Sequence, residues 1–194
     1  MSEALPKTTD DPRERLLRAA ERAFVASGFH GARMAQIARE AKMSPGHIYH
    51  YFESKEQIIA EIIRVHFEDK MITVEQYREA GDRVVDLMID NLKDSVAAKT
   101  DPFWSTLMLE IAAEATRNPE IASSIRKMDA DLKARVVSYL QNGVKKDDLE
   151  SRLEIFVALM QGIGIRNILN PNLDKEAVTH ILRDVIEVLF RRDA

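Results

Sequence analysis

The chain contains no cysteine. Disulfide bonds, thiolate metal sites and cysteine nucleophiles are therefore excluded. No apolar run approaches the roughly 20 residues of a membrane-spanning helix, and the opening MSEALPKTTDD lacks the apolar core of a signal peptide. A cytoplasmic protein with no membrane partner is expected. There is no glycine-rich phosphate loop, no GxSxG and no HExxH, which leaves little from which to build an enzyme. Gly162-Ile163-Gly164 is an isolated pair of glycines within a helical pattern, and it reads as a place of close helix packing rather than a nucleotide site. Strand patterns are missing as well, since every long segment has helical spacing. Internal repeats and low-complexity tracts are absent too.

What remains is ample for folding. The chain has 194 residues, 45% of them hydrophobic, enough to bury one large core or two small ones. Its net charge of −4 argues at first against a nucleic-acid partner, but the charge is unevenly placed. Residues 1–56 hold nine Lys/Arg against eight Asp/Glu, a balance of +1, and the rest of the chain carries −5. A small DNA-reading head on an acidic body fits those sums.

Residues 1–10 are polar and read as a loose arm. Asp11-Pro12-Arg13-Glu14 is a helix start, with an N-cap, proline at the first position and Glu three residues on. Leu16, Leu17, Ala20, Ala23 and Phe24 form its apolar face, Gly28 ends it, and Phe29 should tuck under the head. Ser54-Lys55-Glu56-Gln57 is a capping box that opens a long helix reaching the high seventies. Gly81 breaks the pattern, and Val84, Leu87, Met88 and Leu92 carry the next helix. Further starts stand at Asp101-Pro102, Asn118-Pro119-Glu120, Asp147-Asp148-Leu149-Glu150 and Asp174, with ends near Arg117, Gly143, Leu169 and Phe190. The expectation is an all-α protein of about nine helices.

The most informative stretch is MAQIAREAKMSPGHIYHYFESK, residues 34–55. Ile37, Ala38 and Ala41 lie on one side of a short helix, and a four-residue break follows. Ser44 can then cap a second helix with Pro45 at its first position. That helix, Pro45 to about Tyr51, should bury Ile48 and Phe52 and turn His47, Tyr49 and His50 outward. Two short helices joined by a tight turn make a helix-turn-helix that enters the DNA major groove. Ser44-Pro45-Gly46 would let backbone N–H groups approach a phosphate. His47 and His50, three residues apart, have a spacing that can also hold a metal, but no third ligand is evident. No metal and no cofactor are expected.

Gly28-Phe29, Ile37-Ala38, Ser44, Gly46, Tyr49, Tyr51-Phe52 and Ser54-Lys55-Glu56 resemble the DNA-binding domain of TetR/AcrR-type bacterial repressors. The match is specific over residues 12–60, and beyond them only the helix order agrees. The resemblance implies a three-helix head, residues 1–56, and a ligand-binding and dimerisation body, residues 57–194. It implies DNA contacts by Arg33, Ala35, Ser44, Pro45, Gly46, His47, Tyr49, His50 and Lys55, with Lys55 and the long helix's N-terminus sharing one phosphate. Two positions depart from the family. The usual glycine of the turn is Lys42, which would take a left-handed conformation at a cost of order 1 kcal/mol. The usual hydroxyl residue before the second helix is Arg33, whose longer side chain could reach a phosphate instead.

In the body the resemblance implies an effector cavity among His66, Tyr77, Phe103, Trp104, Met108, Phe156, Met160, Gln161 and Asn167. Glu110, within an apolar run, is either a solvated helix edge or a polar anchor facing that cavity. The last two helices are apolar over more than one stripe, so internal burial and a dimeric four-helix bundle both fit. The bundle would use Leu153, Phe156, Val157, Met160, Gly164, Val178, Ile181, Leu182, Val185 and Leu189. The reading is a homodimeric transcriptional regulator, a repressor that binds a palindromic double-stranded operator and is released by a small apolar or amphipathic effector. A helical enzyme and an architectural or adaptor protein are the alternatives.

Overall fold

The computed structural model describes residues 11–140, 144 and 148–191. They form ten α-helices: α1 Pro12–Gly31, α2 Met34–Glu40, α3 Pro45–Ile48, α4 Lys55–Ala80, α5 Val84–Asp90, α6 Leu92–Lys99, α7 Pro102–Ala115, α8 Pro119–Leu140, α9 Leu149–Leu169 and α10 Lys175–Phe190. A 3-10 turn, Gly81–Arg83, stands between α4 and α5. No strand occurs among the described residues. The helix expected over Val84–Leu92 becomes α5 and α6, because the pattern breaks at Asn91. That residue keeps near-helical angles (φ −85°, ψ −2°), so the pair counts equally well as one bent helix, which gives the expected nine. The 1–10 arm, the end near Gly143 and Asp147 of the expected α9 cap lie outside the described residues.

Several starts are made as the sequence predicts. The Asp11 carboxylate accepts from Arg13 N–H at 2.9 Å, and Asp174 accepts from the N–H groups of Glu176 and Ala177. Asp148 differs. It sits in the left-handed region (φ 57°) and its side chain caps nothing.

The described residues divide into two compact units. One comprises the chain through Glu68 with Thr106–Arg126, the other Asp69–Ser105 with Lys127 onward. In the first, Leu16, Phe24, Phe29, Ile37, Ile48, Phe52, Ile58, Ile59 and Ile62 are buried, and α2 packs on both α1 and α3. Glu61 accepts from Arg13 of α1 and Arg64 of α4, each at 2.6 Å. The Arg64 guanidinium, then that of Arg13, hold the Glu61 carboxyl at about 2 against an ordinary 4.5.

In the second unit α10 packs on α5, α6 and α9. Leu182, Ile186 and Phe190, spaced by four, form its buried stripe. The residues expected at a dimer surface differ in their burial within the protomer. Leu153, Met160 and Leu182 are buried in the protomer's own core, and Phe156, Val157, Val178 and Leu189 are partly buried against it. The Phe156 ring meets Phe190 edge-on at 5.8 Å. Among the expected residues Ile181 is free, 61% exposed, and Val185 is half-buried. Ile155, Leu159, Ile165, Leu169 and Val188 are the other exposed large apolar residues of α9 and α10.

Gly164 is also internal. A Cβ there would stand 2.8 Å from the Lys99 carbonyl and 3.2 Å from Ser105 Oγ. The carbonyl is backbone and cannot yield cheaply. Gly164→Ala should therefore destabilise the second unit by about 1–3 kcal/mol, seen as a lower thermal or denaturant midpoint. Gly162→Ala, where a Cβ meets nothing within 4 Å, should be neutral or stabilising. Equal effects of the two would contradict this packing.

Candidate nucleic-acid interface

The interface is assembled from α1 upward. Gly28 adopts φ 70°, ψ 162° and kinks the end of α1. Ala32 N–H closes back on the Gly28 carbonyl at 3.1 Å. The turn turns Phe29 inward, 2% exposed. Arg33 precedes α2 in an extended conformation and makes no side-chain cap, so the hydroxyl cap is indeed lost. Arg33 and Ala35 are both exposed.

Lys42 has φ 59°, as the missing glycine predicts. The surrounding hydrogen bonds explain why a lysine is tolerated. Met43 N–H donates to the Ala38 carbonyl at 2.8 Å and Lys42 N–H to that of Arg39 at 3.1 Å. This is the Schellman arrangement, which satisfies two carbonyls at a helix end and fixes the left-handed residue between them. Met43 is the buried apolar residue that usually accompanies it.

Ser44 Oγ accepts from His47 N–H at 3.2 Å and Pro45 opens α3. The helix proper is shorter than expected, ending at Ile48, and Tyr49–Tyr51 continue as a turn. Ile48 and Phe52 are buried, as the pattern demands. Ser44, Pro45, Gly46, His47, Tyr49 and His50 are all exposed. The His47 ring lies 6.0 Å from His50 and 5.4 Å from Tyr51, a cluster held beside solvent. A Cβ on Gly46 would meet nothing within 4 Å. No packing inside the protein requires a glycine there.

Lys55 is placed differently from the expectation. Its Nζ donates to the carbonyls of Phe29 at 2.7 Å and Ala32 at 2.9 Å, with His30 at 3.4 Å. It also lies 4.8 Å from the Phe29 ring centroid. A cation at the start of α4 opposes that helix's dipole, but turned towards the last carbonyls of α1 it is favourable. One half of the expected capping box forms, Gln57 N–H reaching Ser54 Oγ at 3.3 Å, whereas Gln57 Oε1 accepts from Glu53 N–H at 2.8 Å, one residue before the cap.

Two residues expected to line an effector cavity are engaged in the first unit instead. Glu110 Oε2 accepts from Phe29 N–H at 3.0 Å, and its carboxylate lies where a Gly28 side chain would begin. His66 Nε2 pairs with Glu21 at 2.9 Å, joining α4 to α1. Met108 also belongs to this unit and is half-buried. A further pair, Glu114 with His30 at 3.2 Å, escaped the sequence reading. Of the others, Tyr77 and Trp104 are half-buried, Phe103 and Gln161 exposed. Asn167 Nδ2 donates to the Thr100 carbonyl at 2.9 Å. Among the described residues no group of three His, Cys, Asp or Glu could hold a metal, and no helix is long and apolar enough to cross a membrane.

Known proteins share this arrangement. Residues 16–62 match the family described as bacterial regulatory proteins, tetR family, and residues 77–191 match the BetI-type transcriptional repressor, C-terminal family. The chain is 31% identical over 140 residues to the HTH-type transcriptional regulator UidR of Escherichia coli K12, covering 71% of this chain and 68% of that protein. Salmonella enterica GusR superposes with a TM-score of 0.75 at 27% identity, over 97% of both chains. A transcriptional regulator from Saccharomonospora viridis in complex with choline gives a TM-score of 0.71 at 20% identity, over 95% of this chain and 100% of that one. UidR and the Saccharomonospora viridis protein are described as transcriptional regulators. The exposed α3, its capped turn and these matches place the chain in the TetR family, as a ligand-responsive helix-turn-helix transcriptional regulator.

Proposed function

We propose that the protein is a cytoplasmic repressor that binds a palindromic operator as a homodimer and leaves it when an amphipathic small molecule binds the second unit. The observation that carries DNA reading is the exposed Ser44–His50 segment on a helix start fixed by its own cap and turn. Ser44, Pro45 and Gly46 present backbone to phosphate, where Gly46 allows close approach. His47, Tyr49 and His50 meet base edges or the adjoining backbone, and Arg33 and Ala35 flank them. The unburied stripe Ile181, Val185 and Val188 of α10, with Ile155 and Leu159 of α9, supports pairing of two copies. A pair spaced by a turn of DNA reads two half-sites. Linkage then requires that effector weaken operator binding by the factor with which operator weakens effector binding.

Footprinting on DNA upstream of the protein's own gene should reveal a protected inverted repeat. His47→Ala should lower affinity for that site more than for random DNA, by about 1–3 kcal/mol for a lost base contact. A uniform footprint, or an unchanged ratio of operator to random DNA affinity, would point to an architectural DNA binder instead.

A further inference from the structure

Leu107, Glu110, Ile111 and Glu114 of α7 follow one another at helical spacing, so they share one face. Leu107, Ile111 and Glu114 are buried and Glu110 is half-buried, which makes this the inward stripe of the helix. Acids are costly in such a stripe unless each has a partner. Both carboxylates find one at the end of α1. Glu110 Oε2 accepts from Phe29 N–H at 3.0 Å, and Glu114 Oε2 stands 3.2 Å from His30 Nε2. The need arises at Gly28, whose φ 70° and ψ 162° turn the Phe29 N–H out of the helical ladder. Phe29 is thus held on both sides, because Lys55 of α4 donates to its carbonyl at 2.7 Å and to that of Ala32 at 2.9 Å. From this corner α2 departs after one extended residue, Arg33, and packs on α1 and α3. The direction of α2, and with it of the Ser44–His50 segment, is set where Glu110 bonds.

We propose that Glu110, from the part of the chain expected to form the body, is a positioning residue for DNA reading. Its hydrogen bond to Phe29 keeps the Gly28 corner at the angle from which α3 fits the groove. Without that bond the corner samples other angles, and operator affinity falls by the fraction of heads left in the reading arrangement. This deepens the operator reading and rests on it. Charge is not the agent. Removing a carboxylate from a DNA-binding unit reduces repulsion of phosphate, so positioning and plain electrostatics predict opposite signs.

Three variants of the full-length protein separate reach from charge. Glu110→Gln keeps an acceptor oxygen at the same length without the charge. Glu110→Asp keeps the charge but is one methylene too short, and Glu110→Met fills the volume with neither. Anisotropy with the footprinted inverted repeat and with a random duplex of equal length gives both affinities, and circular dichroism checks the fold. Glu110→Asp and Glu110→Met should each lose operator affinity by at least about tenfold, the equivalent of one buried hydrogen bond, and keep their affinity for random DNA. Glu110→Gln should stay within about threefold of wild type on both. Exchange of the Phe29 amide should quicken in Glu110→Asp and Glu110→Met but not in Glu110→Gln. Wild-type operator affinity in Glu110→Asp or Glu110→Met, an equal loss on both DNAs, or a fall in Glu110→Gln as large as in Glu110→Asp each overturns the proposal. Should Glu110→Met fail to fold, the contrast between the two polar variants decides alone. A wild type that protects no inverted repeat overturns the operator reading instead. Phe29 exchange that differs between Glu110→Gln and Glu110→Asp then leaves the positioning standing, and exchange that does not differ overturns it too.

Discussion

Ile181→Glu should convert the protein into folded monomers and weaken operator binding by about 10²–10⁴-fold, the advantage lost when two linked half-site readers become independent. Ile181 is 61% exposed in the protomer, so glutamate there meets water and leaves folding intact. In a pair of subunits the same carboxylate would be buried without a partner, which is strongly unfavourable. Ile186, five residues on and fully buried, supplies the contrast, because Ile186→Glu should unfold the second unit rather than separate subunits. Light scattering at micromolar concentration gives the assembly state, circular dichroism the fold, and anisotropy with labelled operator the affinity. A variant that remains dimeric places the interface elsewhere.

Lys55→Met should reduce DNA binding by loosening the head. Its ammonium satisfies the carbonyls of Phe29 and Ala32, and leaving such groups without a donor costs about 1–3 kcal/mol. Hydrogen exchange of the amides from Phe29 to Ile37 should accelerate accordingly, a local readout preferable to a global melt in a protein of two units. The salt dependence distinguishes this from a phosphate contact. A lysine that neutralises one phosphate contributes about 0.9 to the slope of log affinity against log salt. Lys55→Met should keep the wild-type slope. A slope lower by about one, with exchange unchanged, would return Lys55 to the phosphate.

Lys55 also marks the limit of what the sequence conveys. Its place at the first turn of α4 is legible from the capping box, but carbonyls 23 to 26 residues earlier, which claim its charge, depend on how Gly28 bends the chain. The left-handed Lys42 was readable only through the resemblance, which sets a glycine at that place in the turn. Helix starts at Asp11, Ser44 and Asp174 were readable from their own cap residues, and Asp148 was not, since its angles differ from those of an ordinary cap. On α10 two apolar stripes, Leu182-Ile186-Phe190 and Ile181-Val185-Val188, are nearly equal in the sequence. Packing against α5, α6 and α9 decides which is core. Glu21 lies among apolar neighbours of α1 and His66 four residues after Ile62 on α4, so each hinted at a buried polar partner. Nothing local joins them across 45 residues.

The bond from Phe29 N–H to Glu110 spans 81 residues and bears on the order in which the chain is made. Every side chain proposed to read DNA has left the ribosome when Glu68 emerges, but the unit that holds them is completed only by Thr106–Arg126. At about 5–20 residues per second, the nascent recognition helix waits several seconds for the carboxylates of Glu110 and Glu114. Nonsense products ending in that interval would carry α1 to α3 without the anchors of Phe29 and His30. They would be poor competitors for the operator, so truncating alleles should behave as simple losses rather than as dominant inhibitors of the intact protein.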